Sequence, residues 1–131
     1  MKVLVDTCVW SQALRNKNPN PEIIAQLSDF INDARVSIIG LIRQEILSGI
    51  SNAKQFHRLK KILGSFEDIP LSTQHFEQAA EFSNMCRKKG IQGSTVDFLI
   101  CAVAHLEDLE IFTTDSDFEN YSKFLPVTLV K

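Results

Sequence analysis

The chain has 131 residues, 44% hydrophobic and 23% charged, with a formal net charge of −2. That length is one domain's worth, spanning 1–131; the composition excludes disorder, collagen and coiled coil, and supplies enough apolar surface for a packed core. A charge so near zero excludes nucleic-acid binding through bulk positive charge, so any such binding must be local.

In chain order, the first strand is predicted over 2–6, where Val3, Leu4 and Val5 run into Asp6. A helix over 7–14 follows. The segment 16–21, with two prolines and three asparagines, reads as a loop. Ile23, Ile24, Leu27, Phe30 and Ile31 recur at helical spacing, which predicts a helix over 22–33. A strand over 36–39 leads to a short helix over 41–50, which Gly49 helps to end, and to another over 53–63, closed by Gly64. A brief strand is expected over 66–69, stopped by Pro70. The helix over 73–89 ends with Arg87, Lys88, Lys89 and then Gly90, basic residues and glycine both being helix-end signals. The helix over 94–106 is apolar all round from Phe98 to Ala104, as expected of a buried helix. A strand over 111–114, a short helix or turn over 116–124 and a last strand over 127–130 complete the pattern.

Strands alternate with helices throughout. The expected fold is α/β: one domain, with a mostly parallel sheet of about five strands and helices on both faces. Cys8, Cys86 and Cys101 are odd in number and lack metal-site spacing, so neither a disulfide framework nor structural zinc is expected. A reducing cytoplasm suits them best. The apolar run over 3–5 is far too short for a signal peptide or a membrane span.

The small net charge hides an asymmetry. Residues 1–89 carry 12 basic and 9 acidic side chains, whereas 90–122 carry Asp97, Glu107, Asp108, Glu110, Asp115, Asp117 and Glu119 with no Lys or Arg. A solvated acidic face is one explanation, and a cation site is the other. In open parallel sheets ligands sit beyond the carboxyl ends of the strands. Asp6 ends the first strand, Asp115 and Asp117 follow the fourth, Glu45 lies a turn past the second, and Asp97 begins the buried helix before the fourth. Each has a local use as well. Asp6 can cap a helix, Glu45 can face solvent, Asp97 stands at capping-box distance from Ser94, and Asp115 and Asp117 can form turns. Together, however, they would repel unless something cancelled their charge. A hard divalent ion such as Mg²⁺ or Mn²⁺ does so with oxygen ligands of this kind.

In order and spacing these residues resemble the PIN domain family, and within it the VapC-type ribonuclease toxins of prokaryotic toxin–antitoxin modules. The resemblance is carried by VLVDT at 3–7 with Val9 and Trp10 behind it, RQEILSG at 43–49, VDFLICAVA at 96–104 and TTDSDF at 113–118. It covers essentially the whole chain. It implies a doubly wound fold around a five-stranded parallel sheet, and a metal-dependent endoribonuclease in which Asp6, Glu45, Asp97 and Asp115 are catalytic and hold Mg²⁺ or Mn²⁺. Asp117 is implied as a further ligand, and Thr7 and Thr113 as residues whose hydroxyls orient carboxylates. The implied partners are the RNA substrate, a small antitoxin that covers the acidic cleft and adds a basic side chain, and a second copy of the chain; no membrane is implied. Cys8 departs from the family, where asparagine or serine is common, and Cys101 stands where alanine is usual.

RNA needs positive charge somewhere. Lys54, Arg58 and Lys61 form a stripe at i, i+4 and i+7, suited to phosphate contacts that give affinity without sequence choice. A solvated helix face is the plainer use of the same residues. Cys101 and His105 are four apart, but two ligands do not make a metal site, and packing is expected there. The chain lacks the acid pair of a receiver-type phosphotransfer domain, and Cys8 stands where a HAD-type phosphatase needs a second aspartate. A non-catalytic PIN-like module binding RNA or protein stays open as the alternative.

Overall fold

The computed structural model describes residues 1–131. Three strands, β1 (Val3–Val5), β2 (Val36–Ser37) and β3 (Glu110–Phe112), pair in parallel in the order β2-β1-β3. One further segment lies along each edge, held by a single parallel bridge: Ile38 to Asp68 on the β2 side and Ile111 to Leu129 on the β3 side. Five parallel segments therefore lie side by side, three of them as strands. The strands predicted over 66–69 and 127–130 shrink to these bridges. Both are edge segments next to a proline, Pro70 and Pro126, which has no N–H to extend a ladder.

Seven helices connect them: α1 (Thr7–Leu14), α2 (Pro21–Asn32), α3 (Gly40–Leu47), α4 (Ala53–Leu63), α5 (Thr73–Lys88), α6 (Thr95–Leu106) and α7 (Asp117–Ser122). The chain steps from β1 to β2 and on to the 68 segment in one direction. It then returns past β1 to β3 and the 129 segment in the other. With right-handed crossovers, α1–α4 cover one face of the sheet and α5–α7 the other. The packing agrees, since α1 contacts α2 and α3, α3 contacts α4, and α5 contacts α6. The reversal in strand order falls between β1 and β3, the place where a doubly wound sheet opens a crevice at its carboxyl edge.

Val3, Leu4 and Val5 are wholly buried, as a strand covered on both faces requires. Residues Phe98 to Ala104 of α6 are buried on every side, as their unbroken apolar sequence predicts. Trp10 is also buried, edge-on to Phe66 at 5.3 Å between ring centroids, which places it in the core. Arg43 of α3 pins the path from α4 to the sheet edge. It donates to the carbonyls of Leu63 (2.7 Å) and Phe66 (2.6 Å), and through Nε and Nη2 to Asp68.

Candidate metal centre

Four chain segments meet at the crevice. Asp6 is the first residue past β1, and its backbone N–H still donates to the Phe112 carbonyl of β3, at 2.9 Å. It is also the N-cap of α1, so β1 passes directly into a helix and the carboxylate is fixed at the junction. Oδ1 accepts from the Thr7 backbone N–H at 2.7 Å, and Oδ2 accepts from the Thr113 hydroxyl at 2.8 Å. The local use read from sequence is therefore real, but it occupies only one of the two oxygens.

Thr113 does two jobs. Besides holding Asp6, its Oγ1 accepts from the Asp115 backbone N–H at 3.0 Å, which turns the chain after β3 back over the crevice. Asp115 Oδ1 accepts in turn from the Asp117 N–H at 2.9 Å, a local aspartate turn that opens α7. Thr7 does not hold Asp6 with its side chain. Its hydroxyl donates to Glu45 Oε1 at 2.6 Å and so fastens α3 to α1.

Cys8 fills a place in the same network. Its Sγ lies 3.5 Å from Asp6 Oδ2 and 3.4 Å from Thr113 Oγ1, and accepts from the Thr114 N–H at 3.4 Å. The thiol thus does weakly what a hydroxyl or amide would do at this position.

Asp97 sits at the start of α6. Its backbone N–H donates to Ser94 Oγ at 3.0 Å, one half of a capping box. The other half is not made, because Asp97 Oδ2 accepts from the Tyr121 hydroxyl at 2.7 Å. Burial and the carboxylates of Asp97, Asp117 and Asp115 push the Tyr121 phenol far above its ordinary range, so it stays protonated and can donate. Tyr121 is a residue the sequence reading missed. The available signal was its position four residues after Asp117 on a short helix, which puts both on one face.

Asp6, Glu45, Asp97 and Asp115 all line one cleft of about 390 Å³ together with Thr7 and Ser94. Asp117 stands at its rim: carboxylate oxygens of Asp97, Asp115 and Asp117 lie within 4.8 Å of one another. None of the five forms an ion pair with a basic side chain. Asp6 is only 7% exposed, and burial raises its pKa above the ordinary carboxylate value. The hydrogen bonds from Thr113, Thr7 and Cys8 oppose that rise, and the Asp97 charge adds to it. The donor set is all oxygen and anionic, which fits a hard divalent cation. The crowding of unpaired carboxylates around a buried one is the electrostatic situation such an ion relieves.

Away from the cleft, Lys54, Arg58 and Lys61 are exposed on α4, opposite the buried Leu59 and Leu63, and make no ion pair. Cys101 is buried in α6 while His105 is exposed against the Phe82 ring, so that pair serves packing.

The sequence family described as the PIN domain matches residues 3–124. No curated protein matches the chain by sequence. Among solved structures, the chain is similar to the crystal structure of FitAcB from Neisseria gonorrhoeae, with a TM-score of 0.81 at 23% identity, covering 98% of this chain and 96% of that one. It is similar to VapBC2 from Rickettsia felis bound to a DNA fragment from its promoter, with a TM-score of 0.80 at 18% identity, covering 100% and 98%. It is also similar to VapBC-5 from Mycobacterium tuberculosis, a member of the VapBC family of toxin–antitoxin systems, with a TM-score of 0.70 at 18% identity, covering 100% and 99%. These likenesses show a shared fold.

Proposed function

This chain belongs to the PIN domain family, and from that premise we propose that it is a Mg²⁺- or Mn²⁺-dependent endoribonuclease, the VapC-type toxin of a toxin–antitoxin pair. The observation that carries the reading is the convergence of Asp6, Glu45, Asp97 and Asp115 on one cleft with no basic side chain among them. Asp6, Asp97 and Asp115 would hold the ion, with Glu45 and Asp117 completing the set. When bound, the ion supplies charge neutralisation at the phosphate and a water activated for attack.

The chain's own residues do the rest. Thr113 and Thr7 lock the Asp6 and Glu45 carboxylates into fixed rotamers, which removes the reorganisation that loose ligands would require. Glu45 or Asp97 accepts the proton of the attacking water. The products expected are 5′-phosphate and 3′-hydroxyl ends. Lys54, Arg58 and Lys61 hold the RNA backbone through its phosphates.

The VapBC-5 neighbour, named for a family of toxin–antitoxin systems, supports an antitoxin protein as partner. A basic side chain from that partner would match the acidic cleft, and a homodimer is inferred from the family resemblance alone. No helix is long and apolar enough to cross a membrane. Three free cysteines suit work in a reducing cytoplasm.

The test is a mixed RNA pool incubated with partner-free protein in Mg²⁺ or Mn²⁺, with and without EDTA, followed by mapping of the fragment ends. Metal-dependent cutting that leaves 5′-phosphates supports the reading. Cyclic phosphates, or cutting that persists in EDTA, would contradict it. Binding of RNA without any cutting would favour the non-catalytic module.

A further inference from the structure

We propose that Tyr121 is a positioning residue of the metal centre: its hydroxyl holds the Asp97 carboxylate beside Asp115 and Asp117, and Gly93 is glycine to leave room for it. The inference rests on reading the cleft as a cation site.

Three carboxylates whose oxygens lie within 4.8 Å repel one another, and an unrestrained side chain would turn away. Asp115 is held by the turn that its own Oδ1 makes with the Asp117 N–H. Asp97 has no such local anchor, because its carboxylate makes no capping bond to Ser94. Its one protein partner is the Tyr121 hydroxyl, which reaches it from 24 residues away at 2.7 Å. That bond engages Oδ2 and leaves Oδ1 free.

The tyrosine is itself closely packed. It is wholly buried, with its ring centroid 5.1 Å from those of both Phe98 and Phe118. Phe98 follows Asp97 on α6, and Phe118 follows Asp117 on α7. The same three rings therefore fix the spacing of the two helices that bear the carboxylates, and the hydroxyl sets the angle of one of them. A phenylalanine at 121 would keep the packing and lose only the hydroxyl.

Gly93 supplies the second observation. Its backbone needs no left-handed conformation, so conformational freedom does not explain it. A Cβ there would fall on the Tyr121 hydroxyl oxygen and lie 2.8 Å from Cζ of Tyr121 and from Cζ of Phe98. A side chain at 93 would force the Tyr121 ring, Phe98 or the loop backbone to shift, at the point where the hydroxyl meets Asp97.

Tyr121 is the only tyrosine in the chain, so one ring-carbon resonance reports its hydroxyl without ambiguity. The test pairs calorimetric titration of Mn²⁺ into the wild type, Tyr121→Phe and Gly93→Ala with NMR of Cζ-labelled tyrosine in the wild type as Mg²⁺ is added. The expected result is Mn²⁺ affinity weakened on the order of tenfold in Tyr121→Phe with its urea midpoint nearly unchanged. Gly93→Ala should weaken binding as well and lower the midpoint. The wild-type Cζ resonance should move along the same binding curve as the metal. Wild-type affinity in Tyr121→Phe, or a Cζ resonance that ignores bound Mg²⁺, overturns the assignment of Tyr121. Wild-type affinity in Gly93→Ala overturns the role given to Gly93. A wild type that binds neither ion overturns the cation site itself, and this inference with it.

Discussion

The Thr7 hydroxyl donates to Oε1 of Glu45 at 2.6 Å, joining the first residue of α1 to a carboxylate 38 positions later. The backbone N–H of the same threonine donates to Asp6. One residue therefore fixes two carboxylates that arrive from different helices. Thr7→Val keeps the shape and removes only the hydroxyl. Mn²⁺ affinity and cleavage are expected to fall on the order of tenfold, with Thr7→Ser restoring most of both. Calorimetry and initial cleavage rates check this; equal affinity in the valine variant would show that Glu45 needs no such anchor.

Asp6 gives a prediction about stability. Because its folded-state pKa is raised by burial, the folded protein binds this proton more readily than the unfolded chain does. The stability Asp6 contributes is therefore greatest in acid, below the ordinary carboxylate value, and is lost as pH rises through the raised value. At neutral pH the metal-free protein carries a buried charge at a cost. Asp6→Asn should thus raise the Tm of the metal-free protein at pH 7. The gain should fade as pH falls through the raised value into the ordinary carboxylate range. Thermal melts of both proteins across pH test the sign; a gain that grows in acid would contradict the argument.

Arg43 is two residues from Glu45 but belongs to the fold. Arg43→Met leaves the Phe66 carbonyl and Asp68 without this donor and the Leu63 carbonyl with only the Phe66 N–H. A loss of about 2–3 kcal/mol is expected in urea denaturation, while metal affinity at a temperature where the variant is folded should change little.

The stripe on α4 makes a claim about salt. If Lys54, Arg58 and Lys61 each neutralise one RNA phosphate, replacing all three by glutamine should flatten the slope of log affinity against log salt by about 2. Fluorescence anisotropy at several salt concentrations measures it. An unchanged slope would place the RNA elsewhere and return the stripe to plain solvation.

Much of this architecture is visible in the residues themselves. The apolar run from Phe98 to Ala104, inside a segment long enough for a helix, marks a helix buried on most sides, and Val3 to Val5 ending at Asp6 places a carboxylate at the crevice of a parallel sheet. What local sequence does not carry is the far partner. Nothing near Tyr121 says that its hydroxyl crosses to Asp97, because that bond depends on how α7 packs on α6. Nor does the sequence assign Thr7 to Glu45 in preference to Asp6. The ends of α2 and α6 are legible to within a residue, although Ala34 and Asp108, and not glycines, take the left-handed φ of 57° just past them. The helix predicted to reach 50 ends at Leu47 because Ser48 is already extended. The edge strands fade because an edge segment beside a proline forms one bridge and not a ladder.

The central claim is that the Asp6 cleft cuts RNA. The direct measurement is the initial rate of cleavage of one mixed RNA pool in Mg²⁺ by the wild type and by Asp6→Asn, both free of any partner and both shown to be folded. The wild type should cut, and the variant should lose at least about a hundredfold in rate, since a buried carboxylate of the metal centre is gone. A variant that cuts at the wild-type rate would show that the chemistry does not pass through these carboxylates.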